Sequence, residues 1–392
     1  MNLGIDITFL NTLDEKQGVH RYAMGLIDEL SSNKDLNIQI YTNEKVYYDA
    51  KKRFSLKNIQ IYKIKKNYFL RKILNYFLLF FGVLNIYLFK THYIFTNFLN
   101  KDNRELIETK SQVVLFLNAQ EIAYNFQIKT IINFHDLLHK RYPNFLTKKE
   151  LILREYSYYN SAKNTDYLIA SSLFMKKEFL HFYKFLKEKQ IILMREGINK
   201  KLFNFKKSSK IANIKEKNFL FYPAQLWKHK NHILLLEAFK NVCKKNDKLK
   251  LILCGSKKNN YSKIDKYIKK NDLNKKVNYL GNISQAKLLR CYEKSLIVIL
   301  PSLYESSSLV ALEAVKMKKP IICSNIEPMM EIKHNFKFIF FKANSSKSLM
   351  NSIRFALQNK KKLKDYTKKN FKNLNNFTWK KTTAVLKKKI YN

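Results

Sequence analysis

The chain has 392 residues, enough for two or three domains of ordinary size. Apolar residues make up 46% and charged residues 27%, so a normal hydrophobic core is available and extensive disorder is excluded. The chain has 75 Lys and Arg but only 30 Asp and Glu, which gives a net charge of +45. This excess of positive charge indicates either an anionic partner or compositional drift.

The first half of the chain alternates short apolar runs with helical patterns. A strand is predicted at Leu3–Phe9, and helices are predicted at Val19–Leu30, Thr147–Ser161 and Leu173–Tyr183. Short buried strands that alternate with helices predict parallel βα units. The other strands predicted in this half are Ile38–Tyr41, Ile59–Ile64, Val113–Leu117, Thr130–Phe134, Tyr167–Ala170 and Ile191–Met194.

One segment of the first half, Ile73–Phe89, is apolar along nearly its whole length and is flanked by cations. It has about 17 residues and is interrupted by Asn75, Gly82 and Asn85, whereas a spanning helix needs ~20 apolar residues. A buried or interface-docking helix is therefore favoured, with a transmembrane span as the alternative.

A lysine-rich stretch, Asn199–Lys217, is interpreted as a linker, after which the alternation restarts. The predicted organisation is a first domain at 1–198, the linker at 199–217, a second domain at 218–375 and a terminal helix at 376–392 that packs back on the first domain. The strands predicted in the second half are Phe219–Pro223, Leu249–Cys254, Val277–Leu280, Leu296–Leu300, Pro320–Cys323 and Phe338–Phe341. The helices predicted there are His229–Val242, Tyr261–Lys270, Ser284–Lys294, Ser306–Met317 and Ser346–Gln358.

The four cysteines have no CxxC spacing and form no His/Cys ligand group. They predict reduced, mostly buried thiols in a cytosolic protein. Because Met1 leads directly into a predicted strand, no signal peptide is expected.

Two glutamates bracket the start of the predicted helix Ser306–Met317. Glu305 stands on the loop before it, and Glu313 is the one acid in an otherwise apolar helix. Because the first amide groups of a helix can bind an anion, three serines at this start predict an anion site. Carboxylates only accept hydrogen bonds, which suits a ligand rich in hydroxyl groups. The alternative is structural: Glu313 pairs with a lysine and the serines cap the helix.

A cationic cluster follows the strand Phe219–Pro223. Lys228, His229 and Lys230 lie at the start of a predicted helix, where positive charge opposes the helix dipole. Such cations make sense beside a bound anion, although solvated lysines are the alternative in so basic a chain.

These segments resemble the large retaining glycosyltransferase family 4, of the group 1 type, which adds sugars to lipopolysaccharide, capsule and related glycans. The spacing of Glu305 and Glu313 resembles that family's paired-glutamate motif, and Lys230 matches its lysine after the first strand of the second domain. The other matching segments are Gly4-Ile-Asp6, Gly18-Val-His-Arg-Tyr22, His135-Asp136, Ala170-Ser-Ser172, Val277-Asn-Tyr-Leu-Gly281, Glu196-Gly-Ile-Asn199 and Phe377-Thr-Trp379.

The resemblance implies an α/β protein of GT-B architecture: two facing Rossmann-like domains with a donor cleft between them. It implies that Glu305 contacts the donor sugar, Lys230 neutralises the diphosphate and His135 lies at the reaction centre. Spacing alone favours a structural role for His135. Glu313 is expected on the ribose hydroxyls, and Gly18 is expected to let its loop approach the phosphates. The other donor-binding candidates are Gln225, Lys228, Asn282, Ile283, Ser306, Ser307, Ser308 and Leu309.

The sequence departs from the family pattern at three places. Gln17 stands where a second glycine is frequent, and Gln225 stands where an arginine is usual, so Lys228 is expected to supply the missing charge. Ser306–Ser308 replace a Gly-aromatic-Gly run, which predicts a narrower sugar pocket.

The predicted function is retaining transfer of a hexose, with mannose as one possibility, from a nucleotide-diphosphate sugar to a lipid-linked bacterial surface glycan. No Asp-x-Asp occurs in the chain, so neither a divalent metal nor a cofactor is expected. The expected location is cytoplasmic, peripheral on the anionic inner face of the membrane. No nucleic-acid module is recognisable. The alternatives are a nucleotide-sugar 2-epimerase of similar fold and a catalytically inactive homologue.

Overall fold

The protein is described from a computed structural model that covers residues 1–14, 18–65, 72–73, 76, 101–119, 126–198, 216, 218–307 and 309–391. The chain divides into two units: Met1–Arg195 with Thr382–Asn392, and Glu196–Lys381. The predicted linker, apart from Glu216, lies outside the described residues. So does the apolar segment Ile73–Phe89, apart from Ile73 and Tyr76.

The first unit contains a parallel sheet in the order β3-β2-β1-β4-β5-β6-β7. In its centre, Leu3 of β1 is in register with Ile38 of β2 and Val113 of β4. The strands are β1 (Asn2–Asp6), β2 (Asn37–Thr42), β3 (Ile59–Lys63), β4 (Val113–Phe116), β5 (Lys129–Asn133), β6 (Tyr167–Ala170) and β7 (Ile191–Leu193). The helices described in this unit are Gly18–Ser31, Tyr47–Arg53, Lys101–Lys110, Leu138–Arg141, Lys148–Lys163, Leu173–Phe182 and Ala384–Tyr391.

The second unit contains a parallel sheet in the order β10-β9-β8-β11-β12-β13. Its strands are β8 (Phe219–Pro223), β9 (Lys250–Cys254), β10 (Val277–Tyr279), β11 (Ile297–Leu300), β12 (Ile321–Ser324) and β13 (Ile339–Phe341). The helices are His232–Cys243, Tyr261–Lys270, Gln285–Lys294, Leu309–Lys316, Glu327–Glu331, Ser346–Gln358, Lys360–Asn373 and Trp379–Thr382, the last of which ends at the boundary of the unit.

Each sheet has one position at which the strand order reverses. In the second unit, β8 lies between β9 on one side and β11 on the other. In the first unit, β1 has the same position between β2 and β4. Ligands of open parallel sheets bind outside the carboxyl ends of the strands at such a point. The loops that follow β8 and β11 are therefore the first place to look for a site.

The apolar runs of the sequence form the buried strands of the two sheets. All four residues of β11 are buried, as are all four of β4, because helices cover both faces of a parallel sheet. Several helices begin where a side chain caps them. Ser284 accepts a hydrogen bond from the amide of Lys287, and Thr147 forms a capping box with Glu150.

Some predicted boundaries are wrong. The strand predicted to reach Phe9 ends at Asp6, because the Asp6 carboxylate accepts hydrogen bonds from the amide and hydroxyl of Thr8 and turns the chain. The helix predicted from His229 begins at His232, after a 3-10 turn at Lys228–Lys230. The helix predicted at Ser306–Met317 spans Leu309–Lys316.

The four cysteines are buried free thiols, as predicted. None of the helices within the described residues is long and apolar enough to cross a membrane.

Candidate active site

An ion pair lies at the point in the second unit where the strand order reverses. Lys230, on the loop after β8, places its Nζ 2.7 Å from Oε1 of Glu305, on the loop after β11. Both side chains are about one-fifth exposed, at 20% and 22%. The structure thus brings together two of the three predicted catalytic residues, in a position that solvent and a ligand can reach.

Tyr222 joins the two loops that carry this pair. Its hydroxyl donates to the carbonyl oxygen of Lys230 at 2.9 Å and lies 3.2 Å from Oγ of Ser302. Ser324 in turn donates from Oγ to the carbonyl oxygen of Ser302 at 2.6 Å. Burial raises the pKa of Tyr222 well above its usual value, so the hydroxyl remains protonated and can donate. Tyr222 and Ser302 were not predicted as site residues.

His232 follows Lys230 by two residues and is fully buried. Its ring packs 4.7 Å from the ring of Tyr222, centre to centre. Burial, reinforced by the charge of Lys230, lowers the pKa of His232 to about 3, so this imidazole is neutral at physiological pH. The positive charge of Lys228 and Lys230 at this end of β8 is therefore not supplemented by His232.

Glu313 has a buried tyrosine among its partners. The hydroxyl of Tyr292, on the helix Gln285–Lys294, donates to Oε2 of Glu313 at 2.9 Å. Both residues are buried, with Glu313 only 3% exposed. This hydrogen bond fixes the orientation of the carboxylate.

Gln225 and Lys228 take up separate contacts. Oε1 of Gln225 accepts from the indole Nε1 of Trp227 at 2.8 Å. Lys228 is exposed and donates its backbone amide to Oδ1 of Asn259 at 3.2 Å. A further cation, Lys258, lies over the Trp227 ring at 5.0 Å. Trp227 and Lys258 were not predicted; the cation and the aromatic ring come from different loops, so their proximity has no local sequence signal.

The loop after β10 reaches the same edge of the sheet. Gly281 has a φ of +64°, and its carbonyl oxygen accepts from the amide of Gly255 at 2.9 Å. Gly255 has a φ of +136°, and a Cβ there would lie 2.4 Å from the carbonyl oxygen of Ala224, so glycine is required. This turn places Asn282 exposed and Ile283 against the core.

The serines precede the helix that they were predicted to begin. Ser306 and Ser307 form a bend that is half-buried, and the helix begins at Leu309. Ser308 lies outside the described residues. Ser306 and Ser307 therefore lie between Glu305 and the first turn, beside the amide groups that a helix N-terminus leaves for an anion.

In the first unit, His135 follows β5 and is held by neighbours on other elements. Nδ2 of Asn133 lies 3.2 Å from Nδ1 of His135, and the hydroxyl of Tyr22 donates to Oδ1 of Asn133 at 3.1 Å. The Tyr22 ring meets the imidazole edge-on at 5.3 Å. Desolvation lowers the pKa of His135 to about 4, against the opposing effect of Asp136, so the imidazole is neutral at pH 7.

The segment after His135 is fixed by three ion pairs to two helices. Asp136 accepts from Arg154 at 2.8 Å, and Arg141 pairs with the buried Glu178 at 2.5 Å. Lys140 pairs with Glu155. We call these three pairs the clamp.

Gly18 begins the helix Gly18–Ser31 in open space. Among the described residues, no atom lies within 4 Å of the position that a Cβ would take there. At Gly4, by contrast, a Cβ would lie 2.6 Å from Oγ of Ser111. Packing therefore explains Gly4, whereas Gly18 has room for an approaching ligand.

Comparisons with known proteins agree with this arrangement. Residues 204–373 match the family described as glycosyl transferases group 1. An uncharacterized glycosyltransferase of Methanocaldococcus jannaschii is 22% identical over 372 residues, covering 95% of this chain and 93% of the relative. The structure of HepE from Anabaena in complex with UDP and glucose aligns with a TM-score of 0.72 at 13% identity, covering 100% and 99% of the two chains. WaaG, a glycosyltransferase involved in lipopolysaccharide biosynthesis, aligns with a TM-score of 0.68 at 12% identity and covers 98% of each chain.

The fold is therefore that of the GT-B glycosyltransferases, with two α/β units built on parallel sheets. The second unit carries a domain that matches the group 1 glycosyltransferases, and the ion pair, Tyr222 and Glu313 all lie within the matched residues.

Proposed function

We propose that the protein is a retaining glycosyltransferase of family 4 that transfers a hexose from a nucleotide-diphosphate sugar to a bacterial surface glycan. The observation that carries this proposal is the pair Lys230–Glu305, held 2.7 Å apart at the reversal of strand order in a group 1 glycosyltransferase domain. HepE binds UDP and glucose in a structure of the same fold, which supports a nucleotide-sugar donor.

In this proposal Lys230 and Glu305 change partners when the donor binds. The hardest step of transfer is the departure of the nucleoside diphosphate, and a cation aimed at it stabilises the charge that develops. Lys230 turns from Glu305 to the diphosphate. Glu305 is then an ionised carboxylate without its cation, and it accepts hydrogen bonds from the hydroxyls of the donor sugar.

The remaining groups hold the nucleotide. Glu313, oriented by Tyr292, accepts from the ribose hydroxyls, and the amides next to Ser306 and Ser307 receive phosphate oxygens. Lys228 and Lys258 add positive charge near Trp227, where Gln225 supplies none.

His135 acts in the first unit as a neutral imidazole. Because its pKa is lowered to about 4, it can exchange hydrogen bonds with a sugar hydroxyl without carrying charge at pH 7. Gly18 leaves open space for the donor phosphates. We propose that no divalent metal is required, since the chain contains no Asp-x-Asp.

We further propose that the acceptor is a lipid-linked glycan at the inner face of the cytoplasmic membrane. The role of WaaG in lipopolysaccharide biosynthesis supports such an acceptor, and the net charge of +45 supports an anionic surface.

A thermal-shift screen with UDP, GDP, CDP and their sugars tests the donor site. A ligand at 100 times its dissociation constant stabilises the folded protein by ~2.7 kcal/mol, enough to raise the melting temperature measurably. Glu313→Gln keeps an acceptor for Tyr292 but removes the charge, and we expect the nucleotide to bind at least about tenfold more weakly, about 1.4 kcal/mol.

The matched control is Glu178→Gln, a buried glutamate of the first unit, which should leave the nucleotide shift unchanged. If no nucleotide shifts the wild type, the donor site is inactive and the proposal fails. Release of free nucleotide from a nucleotide sugar without any acceptor would instead favour the 2-epimerase.

A further inference from the structure

The helix Lys360–Asn373 carries a concentration of lysine that stands out even in this chain. Lys and Arg together make up 75 of the 392 residues, about one in five. In this helix, KKKLKDYTKKNFKN, lysine alone fills half of the 14 positions, and Asp365 is the one acid. Compositional drift raises lysine everywhere, so it does not account for this local excess.

The helix presents these lysines on the side away from the core. It packs against the helix Leu309–Lys316 and buries Leu363, Thr367 and Asn370, which lie on one face. The remaining surface is solvent-exposed and holds Lys360, Lys361, Lys362, Lys364, Lys368, Lys369 and Lys372.

Three lysines from neighbouring segments extend this surface. The ammonium groups of Lys316 and Lys318 lie over the ring of Phe371, at 5.6 and 4.5 Å. Asn370 exchanges hydrogen bonds with the backbone of Lys337, which brings that exposed lysine to the helix. We call these ten lysines the basic face.

The basic face holds a single acid, the exposed Asp365, against its ten lysines. Among the described residues, none of the ion pairs uses one of its lysines. Lysines four positions apart on a helix repel each other, and Lys360, Lys364, Lys368 and Lys372 form an unbroken row of this kind. Such a surface is destabilised by its own charge until an anion covers it.

We propose that the basic face docks on an anionic lipid surface. It contains no arginine, so it lacks the planar fork that recognises individual phosphates and instead offers flexible point charges, which suit a diffuse field. Lysine ammonium groups already lie over the nearby aromatic rings: Lys316 and Lys318 over Phe371, and Lys362 over Phe355 at 5.4 Å. Bases that stacked on these rings would compete with the lysines.

This inference rests on the membrane location proposed above, because it names the surface of the second unit that meets the leaflet. It does not depend on the donor site. Neither the ion pair Lys230–Glu305 nor Glu313 belongs to the basic face.

Flotation of the full chain with vesicles tests the proposal. The vesicles are pure phosphatidylcholine, or phosphatidylcholine with about one-third phosphatidylglycerol, at low and at high salt. The test variant carries Lys361→Gln, Lys364→Gln, Lys368→Gln, Lys369→Gln and Lys372→Gln. The matched control removes the same charge elsewhere on the second unit, with Lys245→Gln, Lys248→Gln, Lys263→Gln, Lys266→Gln and Lys270→Gln, all of them exposed.

We expect the wild type to float with the anionic vesicles only, and less at high salt. Since each lysine near an anionic surface adds to binding, the test variant should partition at least about tenfold more weakly. The control should lose no more than about threefold. Nucleotide-induced thermal shifts, run on all three proteins, report separately whether the donor site works.

Three results would overturn the proposal. The wild type could fail to float, or both variants could lose binding equally, which would make net charge alone responsible. The test variant could also float normally while losing affinity for a single-stranded oligonucleotide, in which case the basic face serves a nucleic acid.

Discussion

Tyr222 links the two loops that carry the ion pair of the candidate site. It is 1% exposed, and its one hydroxyl contacts the carbonyl oxygen of Lys230 and the hydroxyl of Ser302. These groups lie on the loops that carry the two members of the ion pair. The position of Lys230 relative to Glu305 therefore depends on a residue that need not touch the donor.

We expect Tyr222→Phe to lower stability by about 1 kcal/mol, since the ring remains and one hydroxyl with its hydrogen bonds is lost. Because the loop of Lys230 is released, the dissociation constant of the nucleotide should also rise about three- to tenfold. Thermal melting and nucleotide titration measure the two effects.

The matched control is Tyr41→Phe in the first unit. Tyr41 is also buried, and its hydroxyl lies 2.7 Å from Oγ of Ser111. It should lose similar stability and keep the affinity for the nucleotide. Equal loss of affinity in both variants would mean that Tyr222 acts only through stability.

The two residues of the ion pair could be predicted from the sequence, but Tyr222, which positions them, could not. Glu305 and Lys230 are polar residues on loops after apolar strands, a pattern visible locally. Tyr222 lies within an apolar strand and so has the pattern of a core aromatic residue. Its link to Ser302 joins positions 80 residues apart, and a hydrogen bond over that separation has no signature in the chain.

At the scale of the elements, ion pairs hold the segment after β5. The clamp attaches it to the helices Lys148–Lys163 and Leu173–Phe182 through pairs in which Glu178 is nearly fully buried. A buried carboxylate that loses its cation pays the full cost of desolvation. His135 lies directly before this segment.

We expect Arg141→Met to destabilise the first unit by about 2 kcal/mol, because it leaves the carboxylate of Glu178 without this cation. The value is below that of a fully buried pair because the Arg141 side chain is 46% exposed. Chemical unfolding with a spectroscopic signal measures the change.

Lys176→Met serves as the control, since Lys176 pairs with Glu188, whose side chain is 72% exposed. It should leave stability nearly unchanged. A comparable loss in the control would show that the burial of Glu178 is not the cause.

Buried strands were predicted more accurately than helices with a weak apolar face. Buried strands such as β8 were predicted at their observed bounds, because a short apolar run between polar loops is a strong signal. The helix Lys360–Asn373 was not predicted at all. It buries one leucine, one threonine and one asparagine, so its hydrophobic periodicity is weak, and tertiary packing rather than pattern selects it.

At the scale of the whole molecule, both units contain buried histidines that respond to pH. Burial lowers the pKa of His139 to about 4 in the first unit and that of His232 to about 3 in the second. In the unfolded chain both return to about 6.5. The unfolded state therefore binds more protons as the pH falls below about 6.5, and folding is destabilised in that direction.

The direction of this pH dependence of stability follows from the lowered pKa values of the two histidines. The contribution of these histidines is fully present above pH 6.5 and is lost as the pH falls toward 4. Between pH 7.5 and pH 5, a histidine of this kind removes about 2 kcal/mol of stability. The melting temperature of the wild type should drop over this interval.

His139→Phe isolates one of these contributions. His139 is 2% exposed and meets the ring of Tyr158 edge-on at 4.7 Å, an environment that accepts a phenyl ring. Whatever its melting temperature at pH 7.5, the variant should lose less of it between pH 7.5 and pH 5 than the wild type does. His334→Gln, at an exposed position, should lose as much as the wild type does. If His139→Phe also loses as much, protonation of His139 does not contribute to the acid sensitivity of the first unit.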